Sequence, residues 1–227
     1  EGEARGKGED LLSLLLDSVS SGAMTRDHLK DEMWTIVNAG HETTATTMAL
    51  MLYHIGMDQA WQQELCAELD AVLEGRDPTF ADLPRLEKMD WTTKETLRLY
   101  PPAPATARQA MEDDEVDGYL IPKGSIVQTQ FYFAQRDPRF WDDPERFSPR
   151  RFSPEASENR PEYAYAPFGA GGRRCLGEHF AYMEALIIVT KLLQKYRVET
   201  RADFRVEPYR AVALRLRNGV RISLHRR

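Results

Sequence analysis

Cysteine is scarce in this chain: Cys66 and Cys175 are the only two among 227 residues, too few for a disulfide framework. Such scarcity fits a reducing compartment. Positive charge is not in surplus either. The formal net charge is −6, and no Lys/Arg cluster is interleaved with aromatics, so a nucleic-acid partner is not expected. No long apolar run is uninterrupted. The most apolar segment, 33–57, carries Asn38, His41, Glu42 and His54 and falls short of a membrane span. A signal peptide is not visible, and a cytoplasmic location is the expectation. The first ten residues, EGEARGKGED, lack Met and apolar patterning and read as a charged linker or fragment start over 1–10. Internal repeats are absent.

What remains is ordinary globular material, 42% hydrophobic and long enough for one good-sized core or two small ones. Short apolar periodicity predicts a helix over 11–16, then a loop over 18–22. Thr25 is placed to cap a long helix through 33–55, and the pattern over 59–73 predicts another, with Glu64, Glu68 and Asp70 on its wet face and Cys66 within it. A helix over 93–100 is stopped by Pro101 and Pro102. After it, 112–117 reads as an acidic loop and 119–130 as two short strands around a Pro-Lys-Gly turn. Pro138, Pro144, Pro149, Pro154, Pro161 and Pro167 mark a long irregular stretch of the kind that usually serves function. The Asn218-Gly219 pair between alternating segments predicts a terminal hairpin over 211–224.

Chemistry concentrates in 168–177, FGAGGRRCLG. Cys175 follows Arg173 and Arg174 and precedes an apolar helix over 180–193; a helix N-terminus and neighbouring cations both favour a thiolate. Glycines 169, 171, 172 and 177 remove side chains where a flat ligand would approach backbone. Taken alone, a cysteine before a helix is more often a buried small hydrophobe, and a Gly-rich loop could cradle phosphate. The phosphate reading fails because position 174 is Arg and no Lys-Ser/Thr pair follows. A second string, AGHETT at 39–44, sets Glu42 beside Thr43 after Gly40, which predicts a locally opened helix able to hold water. The zinc motif H-E-x-x-H fails there because position 45 is Ala. By itself the acid-hydroxyl pair reads more readily as a satisfied polar pair than as a proton relay. Glu95 and Arg98 share one helix face, by themselves no more than a common ion pair.

Together these strings resemble the cytochrome P450 superfamily. The loop meets the pattern F-x-x-G-x-R-x-C-x-G at Phe168, Gly171, Arg173, Cys175 and Gly177; AGHETT is similar to the oxygen-activating motif, ETLR to E-x-x-R, and PERF at 144–147 to the segment that completes it. The resemblance covers nearly the whole chain and corresponds to the C-terminal half of the longer family members.

It implies a mainly α fold with a small β portion, the C-terminal part only of the cytochrome P450 fold, with 11–227 the C-terminal haem-binding part of a single domain. It implies haem b with Cys175 as axial ligand, Phe168 and Gly177 beside it, and Arg108 and Arg173 on the propionates. Glu42 and Thr43 would deliver protons, while Glu95, Arg98 and Arg146 form a supporting charge network. The expected reaction inserts one oxygen atom of O2 into a small hydrophobic organic substrate touched by 103–106 and 208–212. Electrons would come ultimately from NAD(P)H through a ferredoxin or flavoprotein reductase. A truncated haem-binding protein without turnover, or a peroxide-driven haem-thiolate oxygenase, are the alternatives.

Overall fold

The computed structural model describes residue 8, residues 10–211 and residues 213–227. The stretch read as a linker over 1–10 lies outside the described residues except for Gly8 and Asp10. Two compact units divide the chain, Glu1–Glu42 and Thr43–Arg227.

In the first unit, Asp10 caps α1 (Leu11–Ser20), its carboxylate accepting the Ser13 amide at 2.9 Å. This helix runs on through Ser18 and Ser20, which the sequence assigned to a loop. Their hydroxyls turn back onto the Leu14 and Leu16 carbonyls at 3.0 Å each. Thr25 caps α2 (Arg26–Met57) as expected, accepting the His28 amide at 3.1 Å.

The opened helix expected at AGHETT does not form: α2 is continuous through 39–44. One Gly costs only about 1 kcal/mol in a helix interior. A threonine hydroxyl can share a helical carbonyl without opening the helix, as Thr47 Oγ1, just beyond the string, does in donating to the Thr43 carbonyl at 2.9 Å.

The second unit holds the core. Asp58 caps α3 (Gln59–Leu73), which matches the sequence expectation residue for residue. Its stripe Trp61, Leu65, Leu69 and Leu73 repeats every fourth residue and is buried throughout. That stripe packs with Met51 and Ile55 of α2, Met89 of α4 (Glu87–Leu99), and Leu186, Val189 and Leu193 of α7 (Glu178–Lys195). Gly56 is where the chain comes closest: a Cβ there would lie 2.4 Å from Thr200 Oγ1 and 2.9 Å from the Thr200 nitrogen.

Helix α4 begins earlier than the sequence suggested, at Glu87. Glu68, expected on a wet face, is half-buried and accepts the Lys88 and Met89 amides at 2.8 and 3.2 Å. It supplies from another helix the cap that the sequence before α4 lacks. Burial still pushes the Glu68 carboxyl above its ordinary range, against those two hydrogen bonds.

The small β portion comprises two-stranded antiparallel ladders. Strands β1 (Thr106–Gln109), β2 (Asp114–Val116), β3 (Tyr119–Ile121) and β4 (Ile126–Thr129) pair as β1 with β4 and β2 with β3. The segment read as an acidic loop therefore contains β2, closed by a turn with Gly118 at φ +81°. Short helices α5 (Phe131–Ala134) and α6 (Pro154–Ser157) punctuate the irregular middle.

At the C-terminus, β5 (Tyr196–Thr200) pairs with β8 (Ile222–Arg226), and β6 (Pro208–Arg210) with β7 (Leu214–Leu216). The expected hairpin across Asn218-Gly219 is therefore not made. Asn218 instead ties the turn backward, accepting the Glu207 amide at 3.0 Å and donating to the Arg205 carbonyl at 2.7 Å.

Candidate functional site

Cys175 sits just before α7, on a loop fixed at its base. Its amide donates to the Phe168 carbonyl at 2.9 Å, and the Gly169 amide donates to the Ala166 carbonyl at 3.0 Å. Gly169 at φ +75° and Gly171 at φ +66° take conformations that side-chain-bearing residues rarely adopt. The Phe168 ring is half-buried and lies 5.4 Å from Tyr182 of α7. Tyr182 meets Tyr165, hydroxyl to hydroxyl at 3.1 Å, and Tyr165 packs on Phe152 at 4.9 Å. Burial raises both phenols well above their ordinary range, so both stay neutral.

The front of this loop is open. Cys175 is exposed, Leu176 is 98% exposed and Phe180 64%. A Cβ added at Gly171 or Gly172 would meet nothing within 4 Å. Of the two arginines before Cys175, Arg174 is committed to Glu178 through bonds of 2.6 and 2.7 Å. Arg173 is exposed and makes no ion pair among the described residues. Gly177 caps α7, and a Cβ there would sit 4.0 Å from the Cys175 sulfur.

A cleft of about 170 Å³ beside the loop is lined by Tyr163, Phe168 and Arg174 but not by Cys175. It is small against the roughly 300–1,000 Å³ of ordinary cofactor sites. Among the described residues no cluster of three or more His, Cys, Asp or Glu could hold a metal ion. One exposed thiol, with Leu176 and Phe180 exposed in the same segment, is a donor set for a metal that brings its other ligands with it. The residues present thus fit an iron porphyrin laid over the loop.

Behind the loop lies a buried charge network. Glu95 and Arg98 are fully buried and doubly bonded, Nε to Oε2 at 2.7 Å and Nη2 to Oε1 at 2.9 Å. Arg98 also donates to the carbonyls of Gln135, Pro144 and Arg146 at 2.9, 2.7 and 3.2 Å. Here one sequence expectation is corrected. Arg146 contributes only its carbonyl, and its side chain is exposed. The third cation is Arg151, whose Nε stands 3.4 Å from Glu95. Two P-x-R-F strings, PERF at 144–147 and PRRF at 149–152, lie five residues apart, and the second supplies it. That repetition was the available signal. Trp141, 2% exposed, is flanked by the guanidinium groups of Arg98 at 5.0 Å and Arg160 at 4.2 Å.

The other expected residues are more scattered. Glu42 and Thr43 are consecutive on α2 and half-buried, Glu42 closing the first unit and Thr43 opening the second. Arg108 lies on β1, exposed, with its guanidinium donating to Thr106 Oγ1 at 2.8 Å and the Ala107 carbonyl at 2.7 Å. The Leu214 amide donates to the Pro102 carbonyl at 2.8 Å, bringing β7 to the segment that leads into 103–106. Residue 212 of the expected substrate segment 208–212 lies outside the described residues. Cys66 is half-buried, and burial raises its thiol.

A fold of packed helices with small ladders, carrying an open cysteine loop on a buried Glu-Arg network, defines a class, and comparison with known proteins agrees with it. A family model described as Cytochrome P450 matches residues 3–218. Relatives include cytochrome P450 4V2 of Mus musculus, 38% identical over 99% of this chain and 44% of the relative, and of Homo sapiens, 37% identical over 96% and 42%. Cytochrome P450 4g15 of Drosophila melanogaster is 34% identical over 95% of this chain and 39% of the relative. The chain therefore belongs to the cytochrome P450 family, and it spans less than half the length of these relatives. Among the described residues no helix is long and apolar enough to cross a membrane.

Proposed function

We propose that this chain forms the haem-thiolate part of a monooxygenase that inserts one oxygen atom of O2 into a small hydrophobic organic substrate. Electrons are drawn ultimately from NAD(P)H through a ferredoxin or flavoprotein reductase. The observation that carries the reading is the Cys175 thiol, exposed on an open glycine loop whose backbone is pinned to Phe168. Bound there, haem b would supply the oxygen-activating chemistry, with the cysteine as its electron-donating thiolate.

The chain's own residues hold, orient and protonate. Cys175 would hold the iron, and the Phe168 carbonyl fixes the backbone of that cysteine. Leu176 and Phe180 offer apolar surface that a porphyrin would cover. Arg173 and Arg108 supply planar guanidinium groups for the propionates. For Arg108 this requires its exposed side chain to leave its local partners, Thr106 Oγ1 and the Ala107 carbonyl. Glu42 accepts and passes protons, and the Thr43 hydroxyl directs them. Glu95, Arg98 and Arg151 support the loop from behind. The segments 103–106 and 208–212 face substrate.

The test is spectroscopic. The reduced, CO-bound protein shows the red-shifted Soret band of thiolate ligation; Cys175→Ser abolishes it and Cys66→Ser leaves it intact. An unchanged band in Cys175→Ser overturns the assignment.

A further inference from the structure

The geometry points to Gln135 as a positioning residue for Cys175, the joint through which helix α4 holds the cysteine loop. Gln135 is 0% exposed and is neither charged nor part of any string singled out in the sequence. It follows α5, its amide donating to the Phe131 carbonyl at 2.9 Å. Both protons of its side-chain nitrogen are used, one on the Leu97 carbonyl and one on the Arg98 carbonyl, each at 3.0 Å. Those carbonyls belong to the last turn of α4, where no intrahelical amide is available. Its own backbone carbonyl accepts Arg98 Nη1 at 2.9 Å. Its side-chain oxygen accepts the Ala166 amide at 3.0 Å.

Ala166 is the residue through which this hold reaches the cysteine. Its carbonyl closes the turn to Gly169, and two residues later the Phe168 carbonyl takes the Cys175 amide. A hydrogen-bonded path therefore runs from the buried end of α4 through one side chain to the backbone of Cys175. Only a primary amide of this length offers two donors and an acceptor without charge. Glutamate would set a carboxylate oxygen against the Leu97 and Arg98 carbonyls; leucine would leave three buried groups unpaired, which is costly.

The inference rests on the haem-thiolate reading above, and its test separates the two. Gln62 is a matched control. It is 2% exposed, donates to the Ile55 and Val198 carbonyls and accepts the Val198 amide, far from the loop in sequence. Gln135→Glu and Gln62→Glu are compared in the full-length protein. In the haem-loaded state, Gln135→Glu is expected to lower the thiolate-type share of the reduced CO spectrum severalfold and to speed haem loss at least tenfold. Gln62→Glu should change neither beyond twofold, even where its thermal midpoint falls as far. In haem-free protein, amide exchange at Ala166, Gly169 and Cys175 should accelerate at least tenfold in Gln135→Glu and at Val198 instead in Gln62→Glu. Should Gln135→Glu not fold, Gln135→His, which keeps one donor and one acceptor, is read in the same way. Equal effects of the Gln135 and Gln62 variants at Cys175 overturn the proposal. A parent protein without the thiolate band overturns the haem reading, and amide exchange still decides the role of Gln135.

Discussion

Removing Arg98 is the severest single test of how this site is supported. The side chain is 0% exposed and makes two bonds to Glu95 and one each to the carbonyls of Gln135, Pro144 and Arg146. In Arg98→Ala the Glu95 carboxylate stays buried with the Ser148 amide at 2.7 Å and Arg151 at 3.4 Å, the Gln135 and Pro144 carbonyls lose their donor, and the Arg146 carbonyl keeps only Arg151 Nη2 at 3.4 Å. Breaking one side of a buried pair typically costs about 3–5 kcal/mol. That is roughly two to three and a half orders of magnitude in the folding equilibrium, against a total of about 5–15 kcal/mol for most domains. Denaturant unfolding of parent and variant measures the loss, and haem content after purification reports its consequence at Cys175. Because Arg98 also serves three carbonyls, replacing Glu95 and Arg98 together by apolar residues does not restore stability, unlike a simple buried pair. Arg146→Ala should cost less than about 1 kcal/mol, since only its carbonyl is used and its side chain is exposed. A loss in Arg98→Ala no larger than the few tenths typical of a surface pair would refute the reasoning.

Two further outcomes follow from single side chains. His54 stacks on Phe147 at 4.0 Å with rings 3° apart, its Nε2 is buried without a hydrogen-bond partner among the described residues, and burial lowers its pKa to about 3. The unfolded chain therefore takes up a proton near pH 6.5 that the folded protein refuses, so stability falls as pH drops from 6.5 towards 3, by about 2 kcal/mol at pH 5. His54→Phe keeps the stacking and should flatten that limb in thermal melts; an unaltered pH profile sinks the assignment. In the complete enzyme, Thr43→Ala should still consume reductant and O2 while releasing more peroxide per product, and an unchanged product yield per electron would place proton delivery elsewhere.

How far the sequence disclosed the fold depended on whether the deciding contact was local. Helix α3 carries its own cap at Asp58 and its own buried stripe, and its two ends were legible to the residue. Helix α4 was not, because its cap comes from Glu68, across a loop. The Asn-Gly turn at 218–219 promised a hairpin by local rules, yet β7 and β8 each found an earlier strand and Asn218 bonded backward. In the candidate site, the cysteine loop announced itself through residue types packed into one short string. The network behind it did not: of two similar P-x-R-F strings, only packing decides that Arg151 rather than Arg146 approaches Glu95. Gln135 carries no charge and belongs to no recognised string, so nothing in the sequence distinguishes it from a surface glutamine.

The irregular stretch between α5 and the cysteine loop explains why so many cations are placed here. Regular elements satisfy their own carbonyls, whereas a buried segment without them must find donors among side chains. Arginine is suited to this, with five donors in a planar fork and a charge that remains in place. Arg98 serves the carbonyls of Gln135, Pro144 and Arg146, and Arg160 that of Arg151, while Arg151 reaches the more exposed carbonyls of Asp142 and Asp143. Glu95 then offsets part of the positive charge so gathered, bonding Arg98 and standing 3.4 Å from Arg151, while Glu145 pairs with Arg136 at 3.1 Å. In this reading the Glu-Arg network is no isolated ion pair but the anchor of a loop whose backbone is held by guanidinium groups. Its conformation is therefore set by side-chain identity more than by strand or helix propensity, which lets a rigid base carry the exposed Cys175.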